Sequence, residues 1–155
     1  MATTVTTANC TVTITESYDL NGVNYGNTTA KSFIDKGQVS QRIMEVAGKT
    51  GEGTVFTDIL NLSTADSAGT VVKGEYAYFR ITNLDDTNSV YLRIYNGADY
   101  LYFAITAGTS LFLMNANVDA TTAVGVVHFA EIQAIAGQSS HATEGVDIEF
   151  IMVTT

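Results

Sequence analysis

Residues 75–114 read EYAYFRITNLDDTNSVYLRIYNGADYLYFAITAGTSLFLM. Three runs within this stretch alternate with a period of two, the spacing of a half-buried strand whose successive side chains point to opposite sheet faces. In the first, Ala77, Phe79 and Ile81 share one face and Tyr76, Tyr78 and Arg80 the other. In the second, Val90, Leu92 and Ile94 oppose Tyr91, Arg93 and Tyr95; in the third, Leu101, Phe103 and Ile105 oppose Tyr100, Tyr102 and Ala104. The pattern predicts a meander with aliphatic and Phe side chains on one face and Tyr and Arg on the other.

Turn chemistry supports this reading. Asp85-Asp86-Thr87-Asn88 and Asn96-Gly97 both signal hairpins, the second because Asn and Gly tolerate the positive φ that tight turns demand. A loop at 96–99 pairs Tyr95 with Tyr100, Arg93 with Tyr102 and Leu92 with Phe103, so both face patterns match across the turn. Ala107-Gly108 then connects to Leu111, Phe112, Leu113 and Met114, a run apolar on both faces that reads as a central or interface strand.

Outside this stretch, 3–15 is a Thr-rich strand with Cys10, Val12 and Ile14 alternating against Thr11, Thr13 and Thr15. Gly and Asn residues make 21–27 a turn region. Residues 31–37 carry Phe33 and Ile34 into a turn, and 38–47 fits a strand or a short helix, with strand preferred. Residues 48–53 form a Gly-rich loop. It contains Gly-Lys-Thr, but the first glycine of a phosphate-binding loop belongs five residues before Gly48, where Ile43 stands. Strands are expected at 55–62 and 124–135, with loops at 63–70, 115–121 and 136–145. At the end of the chain Val146, Ile148, Phe150 and Met152 alternate with Asp147, Glu149, Ile151 and Val153. Eight to ten antiparallel strands, no substantial helix and no fixed repeat predict one all-β domain over 1–155, a β-sandwich or jelly roll. Residues 1–15 are a candidate arm or edge strand, and the last strand a candidate to add to a neighbour's sheet.

Composition narrows the function. With 46% hydrophobic residues the chain folds. Its net charge of −9 and scattered basic residues lack the basic stripe that nucleic acid requires, and disfavour anionic membranes. No apolar run is long enough to span a bilayer, and the N-terminus lacks signal-peptide features, so synthesis as a soluble cytoplasmic product is expected. Cys10 is alone and Pro is absent. His128 and His141 lack metal-ligand spacing, and no nucleophile motif is present, so no catalytic residue, metal or cofactor is assigned. Asp85, Asp86 and Asn88 offer oxygens to Ca²⁺, but without the Gly and closing Glu of a calcium loop they read as a solvated hairpin tip.

The order of motifs is similar to that of small jelly-roll virion proteins of tailed bacteriophages. The residues carrying the likeness are Asn83, Ala107, Gly108, Leu111 and the alternation over 147–153, within the C-terminal half. The resemblance implies a non-enzymatic, multimeric role in the virion, as a capsid decoration (cement) protein or part of a fibre. Its partners would be further copies of the chain, the major capsid protein or other virion proteins.

The candidate interface is Tyr76, Tyr78, Arg80, Tyr91, Arg93, Tyr95, Tyr100 and Tyr102. Six of the eight Tyr residues and two of the three Arg residues lie here, and these types are enriched where proteins meet. The plainer reading is a solvated sheet of cross-strand pairs, each worth about 0.2–1 kcal/mol. Aromatic rings also stack on sugars, so a tail or fibre module recognising a host cell-surface glycan is the alternative, with the absence of Trp counting against it.

Overall fold

The computed structural model describes residues 8–36, 39–49, 55–62, 76–95, 100–114 and 132–154. Among these residues there are twelve strands and no helix: β1 (Ala8–Glu16), β2 (Asp19–Leu20), β3 (Val23–Asn24), β4 (Asn27–Lys36), β5 (Val39–Val46), β6 (Thr57–Asn61), β7 (Tyr76–Asn83), β8 (Val90–Tyr95), β9 (Tyr100–Ile105), β10 (Ser110–Met114), β11 (Ala134–Ser139) and β12 (Val146–Thr154). Strands β5 to β12 make two four-stranded sheets, in the orders β10-β7-β12-β5 and β6-β11-β8-β9. Their antiparallel pairings are nested, β8 with β9, β7 with β10, β6 with β11 and β5 with β12. Nested pairing is that of one long hairpin rolled up on itself, the winding of a jelly roll. The predicted β-sandwich is therefore the fold.

The inner faces of both sheets build one core. Phe79 and Ile81 of β7 and Ile148, Phe150 and Met152 of β12 pack with Val90, Leu92 and Ile94 of β8, Ile59 of β6 and Ile135 of β11. Each such side chain, fully buried, contributes about 1.5–3 kcal/mol. The β8–β9 register is the one the face patterns predict, with Tyr95 opposite Tyr100, Arg93 opposite Tyr102 and Leu92 opposite Phe103. The Asn96-Gly97 turn lies outside the described residues, as do 115–121 and most of the strand expected at 124–135.

Four expectations are corrected. The meander is interrupted: β7 pairs with β10 and β12, while β8 belongs to the other sheet. Strand β10 lies at a sheet edge, with Leu111 and Leu113 packed on the core and Phe112 exposed. Residues 134–139, placed mostly in a loop by their Ala-Gly-Gln-Ser composition, form the buried interior strand β11. Its Gly137 is there because a Cβ would come within 3.0 Å of Ile59 and 3.3 Å of Val46. Strand β12 sits between β7 and β5, so its backbone is paired on both sides and it is no arm.

The change of sheet after β7 is organised by Asn83, which is fully buried. Its side-chain amide donates to the carbonyls of Asn88 (2.8 Å) and Ile105 (3.1 Å), and its oxygen accepts from the Asp85 N–H (3.0 Å). Its own N–H donates to the Thr109 carbonyl at 3.0 Å. Two crossovers, 84–89 and 106–109, are thus tied to one residue. In the second, Thr109 N–H closes a turn on the Thr106 carbonyl, and Gly108 supplies the required φ of 68°. In the first, one Asp85 carboxylate oxygen accepts from the N–H groups of Asn88 (2.6 Å) and Thr87 (2.7 Å). These bonds, the one from Asn88 foremost, hold the Asp85 carboxyl below its ordinary pKa.

Strands β1 to β4 form a separate hairpin. Its register is continuous, from Cys10 opposite Phe33 through Glu16 opposite Asn27 to Leu20 opposite Val23. It turns at Asn21-Gly22, whose φ values of 53° and 80° are left-handed. The base is anchored on the outer face of the β10-β7-β12-β5 sheet, where Phe33, Ala77, Tyr78 and Val153 make a second buried cluster with Cys10, Val12 and Ile151 against it. Beyond that anchor every side chain from 15 to 32 is exposed. The first strand, expected as an arm or edge, is one side of this projecting hairpin; residues 1–7 lie outside the described part.

Replacing Asn83 by Asp keeps its shape but turns two donors into an acceptor facing two carbonyls. The expected loss is about 3 kcal/mol or more, read as a lower urea midpoint. The Asp85 bonds give a pH dependence. Because its folded pKa is depressed, the stabilisation is complete above the ordinary aspartate range, near pH ~4. It is lost as pH falls through the lower folded value. Urea titrations across that range should show a contribution that Asp85→Ala removes; superimposable profiles would refute it.

Candidate functional site

The eight candidate residues do not share a surface. Tyr76, Tyr78 and Arg80 lie on β7 in one sheet, and Tyr91, Arg93, Tyr95, Tyr100 and Tyr102 lie on β8 and β9 in the other. Tyr78 is buried beneath the hairpin, its ring centroid 6.2 Å from that of Phe33. Burial pushes its hydroxyl pKa up, with the Arg80 charge opposing. Arg80 pairs with the carboxylate of Glu149, which also accepts from Gln41 Nε2 at 2.7 Å. Tyr78 and Arg80 therefore anchor the hairpin side of the sandwich.

The second group is a continuous outer face. Tyr91, Tyr100 and Tyr102 are 43%, 49% and 59% exposed. Tyr95 and Tyr100, directly opposite across the ladder, stack with centroids 4.8 Å apart; Tyr100 and Tyr102 follow at 6.3 Å. Phe56, just before β6, closes the row with its ring 6.4 Å from that of Tyr102. It belongs to the site, although its sequence neighbours give only mixed faces. What signals it is the β6–β11–β8 order, which no local pattern encodes.

Arg93 stands in the middle of this face. Its guanidinium carbon lies 4.5 Å from the Phe56 ring centroid and 4.9 Å from that of Tyr100. Each contact is worth about 0.5–1 kcal/mol at an exposed site. That is comparable with the side-chain entropy, about 1.5–2 kcal/mol, that a free Arg loses when immobilised. The two rings thus pre-set the guanidinium, and a partner engaging it pays less of the ordering cost. Among the described residues no carboxylate pairs with Arg93, so its hydrogen-bonding fork is available to an anionic group.

Two other features gather titratable groups. Glu45, Asp85, Asp86 and Asp147 line an open cleft of about 350 Å³ at the crossover end. Asp85 is committed to the backbone of its own loop, and among the described residues no three acidic, His or Cys side chains converge to hold a metal. His141 accepts at Nδ1 from the N–H groups of Glu144 (3.0 Å) and Thr143 (3.3 Å), which makes it a loop organiser. Its carbonyl accepts from Lys49 N–H at 2.7 Å; His128 and most of the Gly-rich loop lie outside the described residues. Among the described residues no helix is long and apolar enough to cross a membrane. The arrangement with the most recognition chemistry is thus the five-residue Tyr/Arg platform with Phe56. No protein-family model, no curated protein and no solved structure matches the chain.

Proposed function

We propose that the chain is a non-enzymatic virion structural protein, a capsid decoration protein that stabilises a phage shell through multimeric contacts. The observation that carries this reading is the platform of exposed Tyr91, Tyr100 and Tyr102 with half-buried Tyr95 and Phe56 around a pre-set Arg93. Tyr offers a large flat contact area with few rotatable bonds, and Arg a planar fork, the chemistry of interface anchors. The jelly-roll winding agrees with the resemblance to small virion proteins, although fold alone assigns no function. A protein binding only the assembled shell stabilises that shell by mass action.

The row of exposed aromatic side chains ending at Tyr102 also suits contact with a sugar, which favours as second reading a tail or fibre module for a host glycan. Copy number separates the two. Quantitative mass spectrometry of purified particles should find the chain in numbers comparable with the major capsid protein. A few copies per particle would move the assignment to the tail or fibre, and absence from the particle would overturn both. Replacing Tyr91, Tyr100 and Tyr102 together by Ser should abolish particle binding. The fold should remain, since each exposed cross-strand pair contributes about 0.2–1 kcal/mol. Undiminished binding by the folded variant would remove the platform from the mechanism.

A further inference from the structure

We infer that the tip of the β1–β4 hairpin of one copy docks on the Tyr/Arg platform of a second copy, with Glu16 meeting Arg93. This rests on the reading of the platform as a contact surface and names what covers it.

The hairpin has two chemically different faces. Alternation in its continuous register places Cys10, Val12, Ile14, Glu16, Tyr18 and Leu20 on one face, with Phe33, Lys31, Thr29, Asn27, Tyr25 and Val23 across from them. The other face carries Thr11, Thr13, Thr15, Ser17 and Asp19. Near the base the apolar face is covered by the molecule's own sheet. Past the polar pair of Glu16 and Asn27 the same face is apolar again and uncovered: Tyr18, Leu20, Val23 and Tyr25 are 50% to 58% exposed. These four side chains form one patch, with the Tyr18 and Tyr25 rings stacked at 5.9 Å and Tyr25 N–H bonded to the Tyr18 carbonyl at 2.9 Å. A two-stranded hairpin of this kind has little stability of its own, and an apolar stripe extending beyond its support is a surface made to be covered.

The tip is also held in shape. Asn24 Oδ1 accepts from Gly26 N–H at 2.7 Å and its Nδ2 donates to Ser17 Oγ at 3.1 Å. At Gly26 any side chain would collide with the Glu16 carbonyl, 2.5 Å from a built Cβ. These bonds fix the local geometry of the tip, which lowers the ordering cost of docking it.

Charge and position select the receiving surface. Glu16 shares the apolar face with the patch and, among the described residues, no cation pairs with it; Arg93 is the one cation of the platform and likewise lacks a carboxylate. Each copy's outer β10-β7-β12-β5 face already carries its own hairpin base, whereas the platform on the opposite sheet is open. The two sheets and the core between them separate a hairpin from the platform of its own chain. The contact is thus head-to-tail between copies, each donating one tip and accepting one, a heterologous interface that closes into rings or extends along a lattice.

Sedimentation equilibrium on the purified chain tests this. The wild type should self-associate in a concentration-dependent way. Glu16→Arg and Arg93→Glu should each weaken association about tenfold or more, and the double variant should restore it to within about threefold. Tyr18→Ser with Tyr25→Ser should leave a monomer with an unchanged melting temperature. A wild type that stays monomeric, a folded double variant no better than either single one, or association indifferent to the tip Tyr pair would each overturn the contact. A monomer present on particles at capsid stoichiometry would overturn it while leaving decoration intact. A self-associating chain absent from particles would do the reverse.

Discussion

The buried side-chain amide of Asn83 ties together the two crossings at one end of the sandwich. A jelly roll must carry its chain from one sheet to the other, and at each crossing backbone groups leave one ladder before joining the next. Here two crossings meet at one end of the sandwich, and a single neutral side chain with both donors and an acceptor satisfies groups from each. A buried polar group is tolerated only when it is fully paired, so the residue fixes the geometry it needs. Because the chain changes sheets immediately after Asn83, it also decides that β7 contributes its Tyr and Arg to one surface and β8 to the opposite one.

This division explains where the sequence was legible and where it was not. Period-two alternation is a local property, and it identified β7, β8, β9 and β12 correctly; matching two alternations across one turn also gave the β8–β9 register. Alternation is silent about which sheet a strand joins. The runs at 76–83 and 90–95 look like neighbours because their faces agree, yet the loop between them spans the sandwich. Most of strand β11, from Ala136 onward, reads as loop for a different reason. A strand packed on both sides where neighbours approach closely uses Ala, Gly and Ser, and those residues also make loops. Of the platform, Tyr91, Arg93, Tyr95, Tyr100 and Tyr102 were legible, whereas Phe56 is brought in by a pairing between distant strands.

Cations are scarce in a chain of net charge −9, and each Arg has a distinct placement. Arg42 lies 5.4 Å above the ring of Phe150, and Arg80 is joined to Glu149. Arg93 lies over two rings, those of Phe56 and Tyr100. Copies of such an acidic chain repel one another at long range, so contacts between them must draw on short-range terms: apolar area, ring stacking and a few well-placed opposite charges. The hairpin stripe and the platform are where such terms are concentrated, on opposite sides of the molecule.

The nested strand order also bears on how the chain reaches this state. Gln41 and Glu149, bonded across β5 and β12, are 108 positions apart, and β12 is inserted between β5 and β7. Until the ribosome has delivered that last strand, the first sheet has an empty slot with unpaired backbone on both sides, an invitation to mispairing between nascent chains. Long sequence separation slows the closing step, and the absence of Pro removes the slow isomerisation that would lengthen the exposed interval further. The hairpin, whose pairing is entirely local, can form before any of this. Having little stability of its own, it becomes fixed only when the completed sheet offers Ala77, Tyr78 and Val153 to anchor its base, so the last strand to be made also sets the first.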